Sequence, residues 1–169
     1  MAESEVTEIE LEQLAERLSR LLLARGESVA TAESCTGGWV AQTLTSIPGS
    51  SMWFERGLVT YSNESKQALL GVSAATLASS GAVSMATVSE MAAGLLAASP
   101  ADWTLAISGI AGPGGSVPGK PVGYVCFAWA HRGSNPQTED AFFPGGRRQV
   151  RARSVRHGLR GLIGRLEAT

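Results

Sequence analysis

Three short stretches of this chain hold side chains that could do chemistry together. Ser34 sits in the run Glu33-Ser34-Cys35-Thr36-Gly37-Gly38, just past an apolar segment and just before Trp39. A serine placed there would project its hydroxyl where a strand gives way to a helix. The backbone N–H groups of Cys35 to Gly38 would point at whatever binds, and the paired glycines permit close approach, an arrangement that stabilises an oxyanion or a phosphate. Ser34 or Thr36 acting only as a helix cap is the plainer alternative.

A serine needs a base to become a nucleophile. Lys66 and Lys120 are the only lysines in the sequence, which draws the rest of its positive charge from arginine. A lysine can lose its proton near neutral pH when a pocket desolvates it, and arginine cannot. Lys66 closes the run Tyr61-Ser62-Asn63-Glu64-Ser65-Lys66. It could take the Ser34 proton, with the Tyr61 hydroxyl as relay. Spacing leaves open a half-buried tyrosine and a surface lysine with no such role. Cys35 is the competing nucleophile, since a thiol at a helix N-terminus is expected to have a lowered pKa. Consecutive residues at such a turn point different ways, so Ser34 is preferred and Cys35 is expected to pack inward.

The third stretch is Ser108 followed by Gly109-Ile110-Ala111-Gly112-Pro113-Gly114-Gly115, directly after a buried strand. Glycines and N–H groups at a strand's carboxyl end fit the place where open α/β sheets bind ligands. The loop matches neither the phosphate-binding Walker pattern nor the dinucleotide glycine pattern. Lys120 follows it and could hold a phosphate or carboxylate as a point charge. A plain tight connection is the rival reading.

The elements that must position these residues are legible in outline. Apolar positions recur at helical spacing over residues 6–23, with Gly26 as a stop. Strands are expected at 28–32, 54–61, 103–107, 121–130 and 138–143, the last as an outer strand. Helices are expected at 39–45, from Asn63 as cap through Leu70, at 86–98 after Ser84, and over the arginine-rich end of the chain. This alternation predicts one α/β domain over residues 1–169, a three-layer α/β/α sandwich with helices on both faces of a central sheet. Residues 1–13 are a candidate frayed extension.

Composition excludes several classes. The chain has 169 residues, 44% hydrophobic and 17% charged, as in an ordinary globular domain. No signal-like segment and no apolar run near the ~18 residues of a membrane span is present, so a cytoplasmic protein without membrane contact is expected. Two cysteines make no disulfide framework. The histidines, His131 and His157, and the aspartates, Asp102 and Asp140, lack ligand spacing, so no metal or other cofactor is expected; both histidines are expected to be solvated. An acidic first helix and a basic last one could suggest nucleic acid. The apolar stripe of Val150, Val155, Leu159, Leu162, Ile163 and Leu166 and the lack of interleaved aromatics read instead as a solvated amphipathic helix.

Taken together, Thr31 to Gly38, Pro48-Gly49-Ser50-Ser51, Tyr61-Ser62-Asn63 with Lys66, Gly81-Ala82-Val83-Ser84, Gly109 to Gly115 and Lys120-Pro121-Val122-Gly123 resemble the CinA C-terminal domain family, over the chain from about Leu14 onward. Its stand-alone members are nicotinamide-nucleotide amidohydrolases of the PncC type. The resemblance implies a metal-free serine amidohydrolase that converts nicotinamide mononucleotide to nicotinate mononucleotide and ammonia in pyridine nucleotide salvage. It implies Ser34 as nucleophile with Tyr61 and Lys66 as partners, a nucleotide as the small-molecule ligand, and a homodimer or larger assembly. The substrate-binding set it suggests is Cys35, Thr36, Gly37, Gly38, Asn63, Ser108, Gly109, Gly112, Gly114, Gly115, Lys120 and Arg147, with Arg148 as the fallback for Arg147. Two positions depart from the family's usual pattern: Ser108 stands where threonine is usual, and Gly145-Gly146-Arg147 where Gly-Asp-Arg is frequent. A non-catalytic nucleotide-binding regulatory module and an amidase for another amide are the alternatives.

Overall fold

A computed structural model describes residues 4–169 of the chain. Helix α1 (Glu8–Arg25) is capped by Thr7, whose hydroxyl accepts the Glu10 N–H at 3.1 Å. It ends at Gly26, whose φ of 65° is a left-handed conformation that glycine adopts without steric cost. Because Thr7 takes the cap, the helix begins two residues later than the periodicity suggests, and it runs two residues further to the Gly26 stop. Residues 8–13 are its first turns, and Leu11 is buried in the core.

Then follow β1 (Val29–Glu33), α2 (Trp39–Thr45), a 3-10 turn (Ser50–Met52), β2 (Phe54–Val59), α3 (Asn63–Leu70), α4 (Ala74–Ser80), α5 (Met85–Ala98), β3 (Trp103–Gly109), β4 (Tyr124–His131), β5 (Gln137–Phe142) and α6 (Arg147–Glu167). Helix α4 has no counterpart in the sequence reading. Its segment Ala74–Ser80 offers one large apolar residue, Leu77, and so no stripe to detect. The cap of α3 is Ser62, not Asn63: Ser62 Oγ accepts the Ser65 N–H at 3.0 Å, and Ser65 Oγ accepts the Ser62 N–H at 3.1 Å.

The sheet order is β2-β1-β3-β4-β5. Strands β2, β1 and β3 run parallel, and β4 and β5 are antiparallel additions, with β5 at the edge. The alternation of side chains divides the core in two. One face carries Val29, Leu105, Ile107, Val125, Phe127 and Trp129 against α1, α2 and α6. The other is nearly all small, with Ala30, Ala32, Ala106, Cys126, Ala128 and Ala130 under α3, α4 and α5. This is the three-layer α/β/α sandwich that the alternating pattern predicts.

The charge asymmetry between the first and last helices resolves within the fold. Helices α1 and α6 pack together, with Glu10 near Arg156 (3.5 Å) and Arg160 (2.9 Å) and Arg17 paired to Glu167. The histidines are half-buried, contrary to the solvated reading. His131 stacks on Trp103 with ring centroids 4.2 Å apart, and His157 lies 4.5 Å from the Phe127 ring. No helix among the described residues is long and apolar enough to cross a membrane.

Candidate active site

The parallel strands β1, β2 and β3 end together, and the chain beyond each end is held in line with the sheet. Ser34 N donates to Ile107 O at 2.9 Å, and Thr60 N donates to Glu33 O at 2.9 Å. Helix α3 starts beside these ends and turns Lys66 inward. Its amine reaches Ser34 Oγ at 3.1 Å and Thr60 O at 2.6 Å, and the residue is only 1% exposed. Burial disfavours the charged form and lowers the Lys66 pKa from the ordinary lysine value.

The turn carrying Ser34 is gripped by two charged side chains. The carboxylate of Glu33, buried beneath the turn, accepts the N–H groups of Val40 at 2.9 Å and Ala41 at 3.0 Å. It thereby takes the amides at the start of α2, and an anion in the cleft cannot use them. From α6, Arg151 donates to Cys35 O at 3.0 Å and Thr36 O at 3.2 Å. Burial, reinforced by the nearby Glu33 charge, pushes the Cys35 thiol up to about 12. The lowered pKa expected at a helix start is therefore not found, because the thiol is buried beside a carboxylate.

A cleft of about 290 Å³ opens above Ser34 and Lys66. Its walls come from Cys35, Tyr61, Ala82, Val83, Arg147 and the glycine-rich loop. Tyr61 is 62% exposed, and its hydroxyl accepts from Arg147 at 3.1 Å. A second donor of Arg147 holds Gly112 O at 2.8 Å. Ser108 donates to Ala82 O at 2.8 Å and so fastens the opposite wall. Among the described residues, no three His, Cys, Asp or Glu side chains gather as a metal site.

A sequence profile of the CinA C-terminal domain matches residues 11–166. The nicotinamide-nucleotide amidohydrolase PncC of Escherichia coli (strain K12) is 52% identical over 157 residues, covering 93% of this chain and 95% of that protein. This chain belongs to the CinA C-terminal domain family. A putative competence-damage inducible protein of Symbiobacterium thermophilum is 47% identical over 156 residues, which span 88% of this chain and 37% of the relative. The crystal structure of the competence damage-inducible protein A of Klebsiella pneumoniae superposes with a TM-score of 0.90 at 42% identity, over 93% of this chain and 97% of that one.

Of the residues expected at the site of this CinA C-terminal domain, Ser34, Cys35, Tyr61, Lys66, Ser108, Gly109, Gly112, Gly114, Gly115 and Arg147 do line one cleft. Six do not. Thr36 is buried beneath the turn, and Gly37 and Gly38 shape the turn with φ of 61° and 98°. Asn63 is an exposed first residue of α3. Lys120 donates to Ser80 O at 2.6 Å, at the end of α4. Arg148 stacks on Trp39 at 5.1 Å, in a separate groove of about 370 Å³ bounded by α1, α2 and α6. The Tyr61 relay is also not seen: Lys66 meets Ser34 directly, and Tyr61 is engaged with Arg147.

Two residues escaped the sequence reading. Glu33 did leave a signal, a lone carboxylate in a buried strand next to the serine. Arg151 left none, since nothing in an arginine-rich helix marks one member as reaching back to the turn.

Proposed function

We propose that this chain hydrolyses the carboxamide of nicotinamide mononucleotide, giving nicotinate mononucleotide and ammonia, by serine chemistry without a metal. The direct contact of a buried lysine with Ser34 Oγ carries the reading, because a binding module has no use for a buried base. The substrate is taken from the similar nicotinamide-nucleotide amidohydrolases.

Neutral Lys66 has two N–H groups and one lone pair. One N–H is directed to Thr60 O, which leaves the lone pair for the Ser34 proton. Ser34 Oγ attacks the carboxamide carbon, and backbone N–H groups of the Ser34 turn hold the oxyanion, each such donor contributing about 3–4 kcal/mol to the barrier reduction. As the C–N bond breaks, the Lys66 ammonium returns a proton to the departing nitrogen and ammonia leaves. Water then gives a proton to Lys66, attacks the acyl-enzyme, and restores Ser34. Arg147 and the glycine-rich loop hold ribose and phosphate, with Tyr61 at the cleft mouth beside Arg147. Pyridine nucleotide salvage, a cytoplasmic setting and a homo-oligomeric assembly belong to the same reading.

The test is to follow ammonia release from nicotinamide mononucleotide with chelator present, for the parent and Ser34→Ala. Release by the parent alone supports the proposal. Nucleotide binding without ammonia supports a regulatory module, and neither binding nor release means a different amide.

A further inference from the structure

The nucleophile turn has an unequal hydrogen-bond inventory. Its carbonyls are taken: Ser34 O accepts the Gly37 N–H at 3.0 Å, and Arg151 from α6 takes Cys35 O and Thr36 O. One amide at the cleft is not. Among the described residues, the N–H of Cys35, a residue of the cleft wall, donates to no backbone carbonyl and to no other residue's side chain, and meets only its own thiol. Thr36, by contrast, is wholly buried beneath the turn. In a trans peptide the C=O and N–H point oppositely. Fixing Thr36 O on Arg151 sets the Thr36–Gly37 peptide, whose N–H holds Ser34 O, and that bond in turn directs the Cys35 N–H away from Gly37. Gly37 is 3.3 Å from the Arg151 guanidinium at the position a Cβ would occupy, so the arginine lies close against the turn. Trp39 backs the cation with its ring 5.4 Å away, and Glu33 pins the other end of the turn to Val40 and Ala41.

We infer that Arg151 is a positioning residue for catalysis, which through Thr36 O and the Gly37–Ser34 hydrogen bond sets the peptide planes of the Ser34 turn so that the Cys35 N–H stands ready for an oxyanion. It touches no substrate and acts on the rate of acylation only through that amide. The inference rests on Ser34 being the nucleophile of the proposed reaction, so it is tested on a step that does not need the nucleotide.

The probe is p-nitrophenyl acetate. Ser34 Oγ forms a bond to the acetyl carbon, the bond to oxygen breaks, p-nitrophenolate leaves, and the serine proton passes to Lys66. The rate is read from p-nitrophenolate, the site from the mass of acetylated Ser34, and the full pH profile is recorded for the parent, Arg151→Met and Arg151→Lys. The expected result is a limiting rate lowered at least thirtyfold in Arg151→Met and at least fivefold in Arg151→Lys, with the midpoint of the pH profile unchanged. An unchanged midpoint means the Ser34–Lys66 pair is intact and only anion stabilisation is lost. A limiting rate within threefold of the parent overturns the inference. So does a shifted midpoint, which would mean general disorder of the site. If Arg151→Met does not fold, Arg151→Lys decides by the same criteria. A parent acetylated at Ser34 but inert toward nicotinamide mononucleotide overturns the substrate reading and leaves Arg151 to be judged on its variants; a parent with unreactive Ser34 overturns both.

Discussion

The amine of Lys66 bridges two parts of the sheet end, 3.1 Å from Ser34 Oγ and 2.6 Å from Thr60 O. The shorter contact is to a carbonyl, which can only accept, so it orients the nitrogen with one face left toward the serine. A lysine with this little exposure keeps a single geometry, and its proton affinity is set by burial.

Activity should rise with pH through a midpoint below the ordinary lysine value of about 10.4, because burial lowers the Lys66 pKa. The sign for stability follows from the same shift. Below the folded pKa both states carry the proton and the cost of burying the Lys66 charge is complete. Between the folded and unfolded values the unfolded state holds one more proton, so stability rises with pH until that cost is gone above the unfolded value. A pH series of kcat/KM and of urea midpoints checks both. A rate flat from pH 5 to 11, or stability at this residue falling as pH rises toward 10, counts against it.

Ser34→Ala should lose at least a thousandfold in kcat while still binding the nucleotide. Cys35→Ala should stay within about fivefold of the parent, since a thiol pushed up to about 12 supplies no thiolate at neutral pH. The reverse pattern in steady-state kinetics would move the nucleophile to Cys35.

Arg147→Ala should raise KM for nicotinamide mononucleotide at least tenfold and change kcat less, because the cation lies at the cleft wall and not at the Ser34–Lys66 pair. Nicotinamide riboside, which lacks the phosphate, should show almost no penalty from the same substitution. Equal losses for both compounds would show that Arg147 does not read the phosphate.

Gly94→Ala should cost about 1–3 kcal/mol of stability and also reduce kcat. A Cβ at this position in α5 would come 1.7 Å from Leu70 O, a backbone atom of α3 with no flexible end to yield. Pushing α3 outward moves Lys66 with it. Chemical denaturation and kcat measured together check this; lost stability with full kcat would mean that α3 shifts without carrying the amine.

Much of the architecture was legible because it rests on local periodicity. Residues 39–45 and the Ser84 cap of α5 read directly from apolar spacing and hydroxyl placement. The antiparallel character of β4 and β5 did not, since a buried strand carries no mark of its direction. At the site, side chains at the strand ends could be read from their motifs. Lys120 and Arg148 read equally well as anion binders, yet their helices and loops turn them to Ser80 and Trp39. Local spacing does not encode where a long side chain finishes. Arg151 shows the converse, a contact with the turn across 116 residues that no short pattern announces.

That same contact makes turnover a late reporter of folding. Helix α2 can form from neighbouring residues, but the turn that precedes it is clamped only after α6 has docked on the sheet. Contacts of such wide sequence separation close slowly, since loop entropy is lost before they are gained. During refolding from denaturant, helical signal should therefore return before the capacity to acylate Ser34, and the lag between the two would time the docking of α6.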